Sequence, residues 1–258
     1  MEQKIGRRSY DHVGVQARVL AIKSMPQHDR KNLVGAIKRS LTDRSPTVRA
    51  AALDLVREAD VNEVEDQVRK TLLDKHRSVR YTAVETLGAL HEDEGIAARW
   101  LYPLLEDPFP LVRVEALEAL VRIGDRQALN LITKRLDDND GLVRSYAAWS
   151  IAQLGGTRYV SKIIQRASTE NDDIAKVGMV DALFTLGDKT QFPRLLEFLF
   201  SDDYLVRCAA ANALGAAKLT AKQLRAAIQA VTYAAEHPLV RGDKTTMEKV
   251  LKELQGEA

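Results

Sequence analysis

A two-residue word, Val-Arg, returns through this chain at a nearly fixed interval, and that interval restricts the fold more than any other property of the sequence. It stands at Val48-Arg49, Val79-Arg80, Val112-Arg113, Val143-Arg144, Val206-Arg207 and Val240-Arg241, with Ala175-Lys176 in the remaining slot. Successive cations lie 31, 33, 31, 32, 31 and 34 residues apart. A recurrence this regular belongs to an array of similar units, each burying its apolar face against its neighbours.

Other residues keep the register. An acidic residue precedes the cation by six positions at Asp43, Asp74, Asp107, Asp138 and, as a variant, Glu170. Four residues after the valine position comes Ala52, Ala83, Ala116, Ala147, Met179 or Ala210, and eight after it Val56, Leu87, Leu120, Ile151, Leu183 or Leu214. That i, i+4, i+8 stripe predicts an amphipathic helix, helix B, after each Val-Arg. Pro46, Pro110 and Pro238 suit its first turn, Ser45, Asp140, Asp172 and Asp203 suit its N-cap, and Gly88, Gly124, Gly155, Gly187 and Gly215 suit its C-cap. Upstream segments such as Leu33 to Leu41 and Phe192 to Phe200 supply a second amphipathic helix, helix A. Alanine and leucine make up about a quarter of the 258 residues, and aromatics only 5%, which favours an all-α chain over a sandwich or a Rossmann sheet.

With these columns, and segments such as LLDKHRSVRYTAVETLGAL and LLEDPFPLVRVEALEALVRIGD, the chain resembles the HEAT-repeat family, and within it the short HEAT-like repeats of the bilin-lyase type. The resemblance spans roughly residues 30 to 255. It implies an all-α, right-handed α-solenoid of about seven helix pairs with terminal caps: a capping region over 1–28 and the array over 29–258, closed by a last helix from Lys244 to Leu254. It also implies that the two charged columns form a structural ladder of Asp43, Arg49, Asp74, Arg80, Asp107, Arg113, Asp138, Arg144 and Arg207, placing each guanidinium beside a carboxylate of its own or an adjacent unit. In the fifth unit Lys176 and Glu170 replace Arg and Asp. Lysine lacks the planar fork, so a softer joint is expected near residues 168–178.

Charge and special residues narrow the function. The balance of 38 Lys and Arg against 36 Asp and Glu provides no general basic field for nucleic acid. The single cysteine, Cys208, excludes an internal disulfide framework and suits a reducing compartment, with the cytoplasm as the default. Met1 to Tyr10 has no apolar run of signal-peptide length, and no stretch reaches membrane-spanning length. The five histidines fall outside metal-ligand spacings, and only His91-Glu92 matches the paired motif of the HEAT-like deoxyhypusine hydroxylases. No catalytic residues, cofactor or metal are therefore expected, and the chain reads as a non-enzyme.

In HEAT-like solenoids the B helices line the concave side. Their non-core positions here include Asp54, Glu85, Glu118, Trp149, Asp181 and Asn212 six residues after the valine position, Glu115 and Tyr146 three after it, and Tyr81 two after it. Carboxylates repel phosphate backbones and attract a basic protein, and tyrosine and tryptophan are enriched at interface hot spots. The expected partner is a protein with a basic surface, in one version a cationic toxin such as a nuclease that the chain neutralises as an immunity or inhibitor protein. The competing structural reading has the acids solvated and the aromatics packed between repeats. Two other functions are open: a bilin-lyase-like enzyme subunit or chaperone, and a HEAT-like DNA-binding protein or glycosylase, which would need a basic groove.

Overall fold

The computed structural model describes residues 14–90 and 95–256, in which all regular structure is helical. The chain divides into two compact units, the first ending at Asp125 and the second beginning at Arg126. In the first, α1 covers residues 14–23, and α2 (Arg30–Ser40), α4 (Glu65–Thr71) and α6 (Gly95–Leu101) alternate with α3 (Pro46–Glu58), α5 (Arg77–Leu90) and α7 (Pro110–Ile123). In the second, α8 (Leu129–Lys134), α10 (Val160–Thr169), α12 (Phe192–Phe198) and α14 (Ala221–Glu236) alternate with α9 (Gly141–Gln153), α11 (Asp173–Thr185), α13 (Tyr204–Ala216) and α15 (Arg241–Gln255). In each unit the B helices pack on one another in succession, α3 on α5 on α7 and α9 on α11 on α13, each with its shorter A helix alongside. This is the helix-pair array that the period of 32 implies. No helix among the described residues is long and apolar enough to cross a membrane.

The register explains the packing. Val48, Val79, Val112, Val143 and Val206 are at most 1% exposed, and the alanines four positions later are fully buried. A methyl group at that depth lets neighbouring backbones approach, while the leucines a turn further on fill the space between helix pairs. Asp140, Asp172 and Asp203 cap their helices through the Val143, Ala175 and Leu205 amides, but Ser45 makes no side-chain cap bond. Gly124, Gly155 and Gly187 end helices in the left-handed region; Gly88 and Gly215 instead lie inside α5 and α13. At Gly88 the reason is proximity, since an added Cβ would meet Ala119 Cβ at 3.0 Å.

The charged columns meet between consecutive repeats. Arg49 Nε and Nη2 both donate to the Asp74 carboxylate at 2.7 Å, and Arg80 holds Asp107 the same way at 2.6 and 2.8 Å. Arg144 holds Glu170 at 2.7 and 2.9 Å. The third guanidinium nitrogen turns back to its own repeat, where Nη1 of Arg49, Arg80, Arg113 and Arg144 donates to the carbonyl of Asp43, Asp74, Asp107 and Asp138. Each acid also organises its turn by accepting the amide two residues on, as Asp43 does from Ser45 at 2.8 Å and Asp138 from Asp140 at 3.0 Å. One side chain therefore ties two repeats and a turn together.

Three features depart from the sequence expectation. Arg18 of α1 forks onto Asp43 at 2.9 and 3.1 Å, so the helix within the 1–28 capping region carries a rung of the ladder; residues 1–13 of that region lie outside the described residues. The altered rung at 168–178 is closed on its α9 side and open on its α13 side. Glu170 takes Arg144 fully and also Arg166 at 3.0 Å, whereas Lys176 turns to Asp173 of its own helix, and the next acid position is Ser201. Finally, the last helix begins at Arg241 rather than Lys244, and Val240 is 45% exposed. Asp243, buried completely, takes the place three residues on and pairs with Arg207 at 3.2 Å.

Candidate protein-binding face

In the first unit the non-core positions of the B helices form one network. Arg57 of α3 bridges Asp54 of its own helix at 3.4 Å and Glu85 of α5 at 2.5 Å. Arg122 of α7 approaches Glu115 at 3.5 Å, and the Tyr81 hydroxyl lies beside the same carboxylate. Glu118 is half-buried one turn further along α7. The electrostatics follow from this enclosure. Burial, with Glu115 beside it, pushes the Tyr81 phenol up to about 12. Burial also raises Glu115, with Tyr81 and Arg122 offsetting part of the rise, and raises Asp54 against the pull of Arg57. The shifts mark one enclosed carboxyl, Glu115, and two groups, Asp54 and Tyr81, only partly withdrawn from water.

Glu115 was expected to face a partner, but it is 3% exposed. Three residues after the valine, α7 is close enough to α5 for Tyr81 to cover the carboxylate. Asp54, Glu85 and Glu118 keep partial access. Arg57 and Arg122 are absent from the acidic column itself, yet they shape its charge. Their signal was present in the sequence: Arg57 stands three residues after Asp54 and Arg122 four after Glu118, spacings that share a helix face.

The second unit presents a different surface. Tyr146 and Trp149 of α9 meet edge to face, with ring centroids 5.9 Å apart and planes at 63°. Both are half-buried, and the Trp149 indole N–H has no hydrogen-bond partner among the described residues. At the register position of Trp149, α11 carries Asp181, half-buried, and α13 carries Asn212, exposed. Burial raises the Asp181 carboxyl to about 6, with the Thr185 hydroxyl one turn away opposing the rise. Cys208 is a half-buried free thiol on α13. The second unit thus presents flat aromatic area, a donor open to solvent and a carboxyl raised by burial, whereas the first presents carboxylates partly balanced by arginines.

Paired helices stacked in sequence, with B helices successively in contact, define a helix-pair repeat protein. Sequence comparison names the repeat: residues 97–183 match the model for HEAT repeats, and residues 29–56 match that for the HEAT repeat associated with sister chromatid cohesion, so these segments carry HEAT repeats. Its fold is similar to that found in the complex of CpcE and CpcF of phycocyanin lyase from Nostoc sp. PCC7120, with a TM-score of 0.61 and 18% identity over 85% of this chain and 94% of that one. It is also similar to YibA of E. coli, with a TM-score of 0.52 and 22% identity over 75% of this chain and 72% of that one. At these identities the likeness concerns the fold alone. No curated protein matches the sequence.

Proposed function

We propose that the chain is a non-catalytic protein-binding module, and that the non-core face of its B helices captures a protein with a basic surface. The observation that carries this reading is the Tyr146–Trp149 pair: a half-open edge-to-face pair with an unused indole donor has the size, stiffness and polar tip of an interface anchor. Asp54, Glu85 and Glu118 would add long-range attraction for cations. The complex of CpcE with CpcF is a precedent for a protein partner on this fold. In its finer form the partner is a cationic toxin such as a nuclease, and the chain acts as its inhibitor in the cytoplasm, where Cys208 stays reduced.

The test is comparative capture by the immobilised full chain, followed by calorimetry on whatever protein the wild type retains. Trp149→Ala should weaken that complex at least about tenfold, the effect of removing a hot-spot side chain. Glu85→Lys with Glu118→Lys should weaken it and flatten its dependence on salt. Unchanged affinity in both variants would overturn the proposal.

A further inference from the structure

The departure of the last repeat uncovers apolar surface. In the other Val-Arg repeats the valine is in the core, but the slip that brings Asp243 inward leaves Leu239 and Val240 in water. They are not isolated. Phe200, Tyr204, Leu205 and Tyr233 join them, all six between 43 and 53% exposed. The Phe200 and Tyr233 rings meet at 5.8 Å, Tyr233 stacks on His237 at 4.2 Å, and Arg207 Nη2 donates to the His237 carbonyl at 3.1 Å, which holds the α12–α13 turn beside the α14–α15 turn. Clustered exposed aromatics and leucines of this kind mark an association surface, since single exposed apolar residues are common but contiguous ones are not.

Charge selects the occupant. The 200–205 strip carries exposed Asp202 and Asp203, while the neighbouring strip ends in exposed Arg241 and Lys244. Asp202 and Arg241 have no ion-pair partner among the described residues. A basic partner would confront Arg241 and Lys244, and an acidic one would confront the two aspartates. A second copy turned by a two-fold axis sets acidic strip against basic strip twice, because in such an interface residue i of one copy meets residue j of the other and the reverse.

We propose that this patch is a homodimer interface, with the apolar residues at its centre and Asp202–Arg241 contacts repeated on either side. The proposal does not rest on the reading of the B-helix face and holds whether or not that face binds a basic protein. Sedimentation equilibrium on the full chain tests it over concentrations spanning about 1 to 100 µM, the range of a moderate-affinity contact. The wild type should pass from monomer to dimer. Phe200→Ser, Asp202→Arg and Arg241→Asp should each raise the dissociation constant at least about tenfold, with far-UV circular dichroism unchanged. Mixing the Asp202→Arg chain with the Arg241→Asp chain should restore dimers, since both contacts become complementary again. A wild type that stays monomeric throughout, or a dimer that these variants leave intact, overturns the proposal.

Discussion

Two neighbouring junctions of the second unit, α9–α11 and α11–α13, are built on the same plan and held by different forces. Between α9 and α11, Arg144 forks onto Glu170, whose carboxylate also accepts the Asn171 and Asp172 amides at 2.9 Å. The two helices approach so closely that a Cβ at Gly178 would fall 2.1 Å from Ser145 Oγ and 2.7 Å from its Cα. Between α11 and α13 both halves of the rung are missing. Lys176 pairs within its own helix, and Ser201 keeps only the turn-forming half of the acid's work by accepting the Asp203 amide at 3.2 Å. What remains is apolar: Val177, Val180 and Phe184 share a core with Val206, Ala210 and Leu214. Burial is non-directional, whereas a bidentate pair fixes an angle, so α11–α13 has cohesion without the same positional constraint.

The contrast can be broken at its strong side first. Arg144→Ala takes both fork bonds from the buried Glu170 carboxylate and leaves it Arg166 and the turn amides, so a loss of about 3 kcal/mol in denaturant unfolding is expected, against less than about 0.5 kcal/mol for Lys176→Ala. Equal losses would show that the rung is not what separates the two junctions. Gly178→Ala should cost somewhat less, about 2 kcal/mol, because α9 and α11 can part slightly; Ser145→Gly should recover a portion of it.

Acid should act on the same junction. Burial pushes Glu170 up, but the Arg144 fork and the backbone amides outweigh it and hold the group at about 2 against an ordinary 4.5. A depressed carboxyl stabilises the fold above its unfolded pKa and loses that contribution as pH falls through the folded one. Hydrogen-exchange protection factors in α9 and α11 should therefore fall between about pH 4.5 and 2 in the wild type, with this dependence reduced in Arg144→Ala. The smallest expected effect is a repair. Lys176→Arg with Ser201→Asp should gain about 1 kcal/mol beyond the sum of the single changes, read from a double-mutant cycle, and a strictly additive result would show that the missing rung cannot simply be rebuilt.

Much of the fold was legible because each repeat solves the same burial problem with the same residues in the same order. The valine, alanine and leucine columns, the N-cap aspartates and the helix pairing all follow from that periodicity. The rung formed by Arg18 was equally readable, standing 31 residues before Arg49, but its preceding residue is Ala17 rather than valine. The candidate face was less legible. A column of acids in a sequence does not reveal which carboxylate is covered by the next helix. Glu115 and Glu118 are three residues apart, yet one is enclosed by Tyr81 and Arg122 and the other keeps partial access.

By itself the sequence determined the repeating helix pair, the depth of its valines and alanines, and the residues able to form rungs, since all of these depend on spacing along one helix. The tertiary structure decided which rungs close, which acids remain open to a partner, and that Asp243 rather than Val240 enters the last core. Those outcomes depend on distances between helices that are far apart in the chain, where a slip of three residues exchanges a buried valine for a buried aspartate.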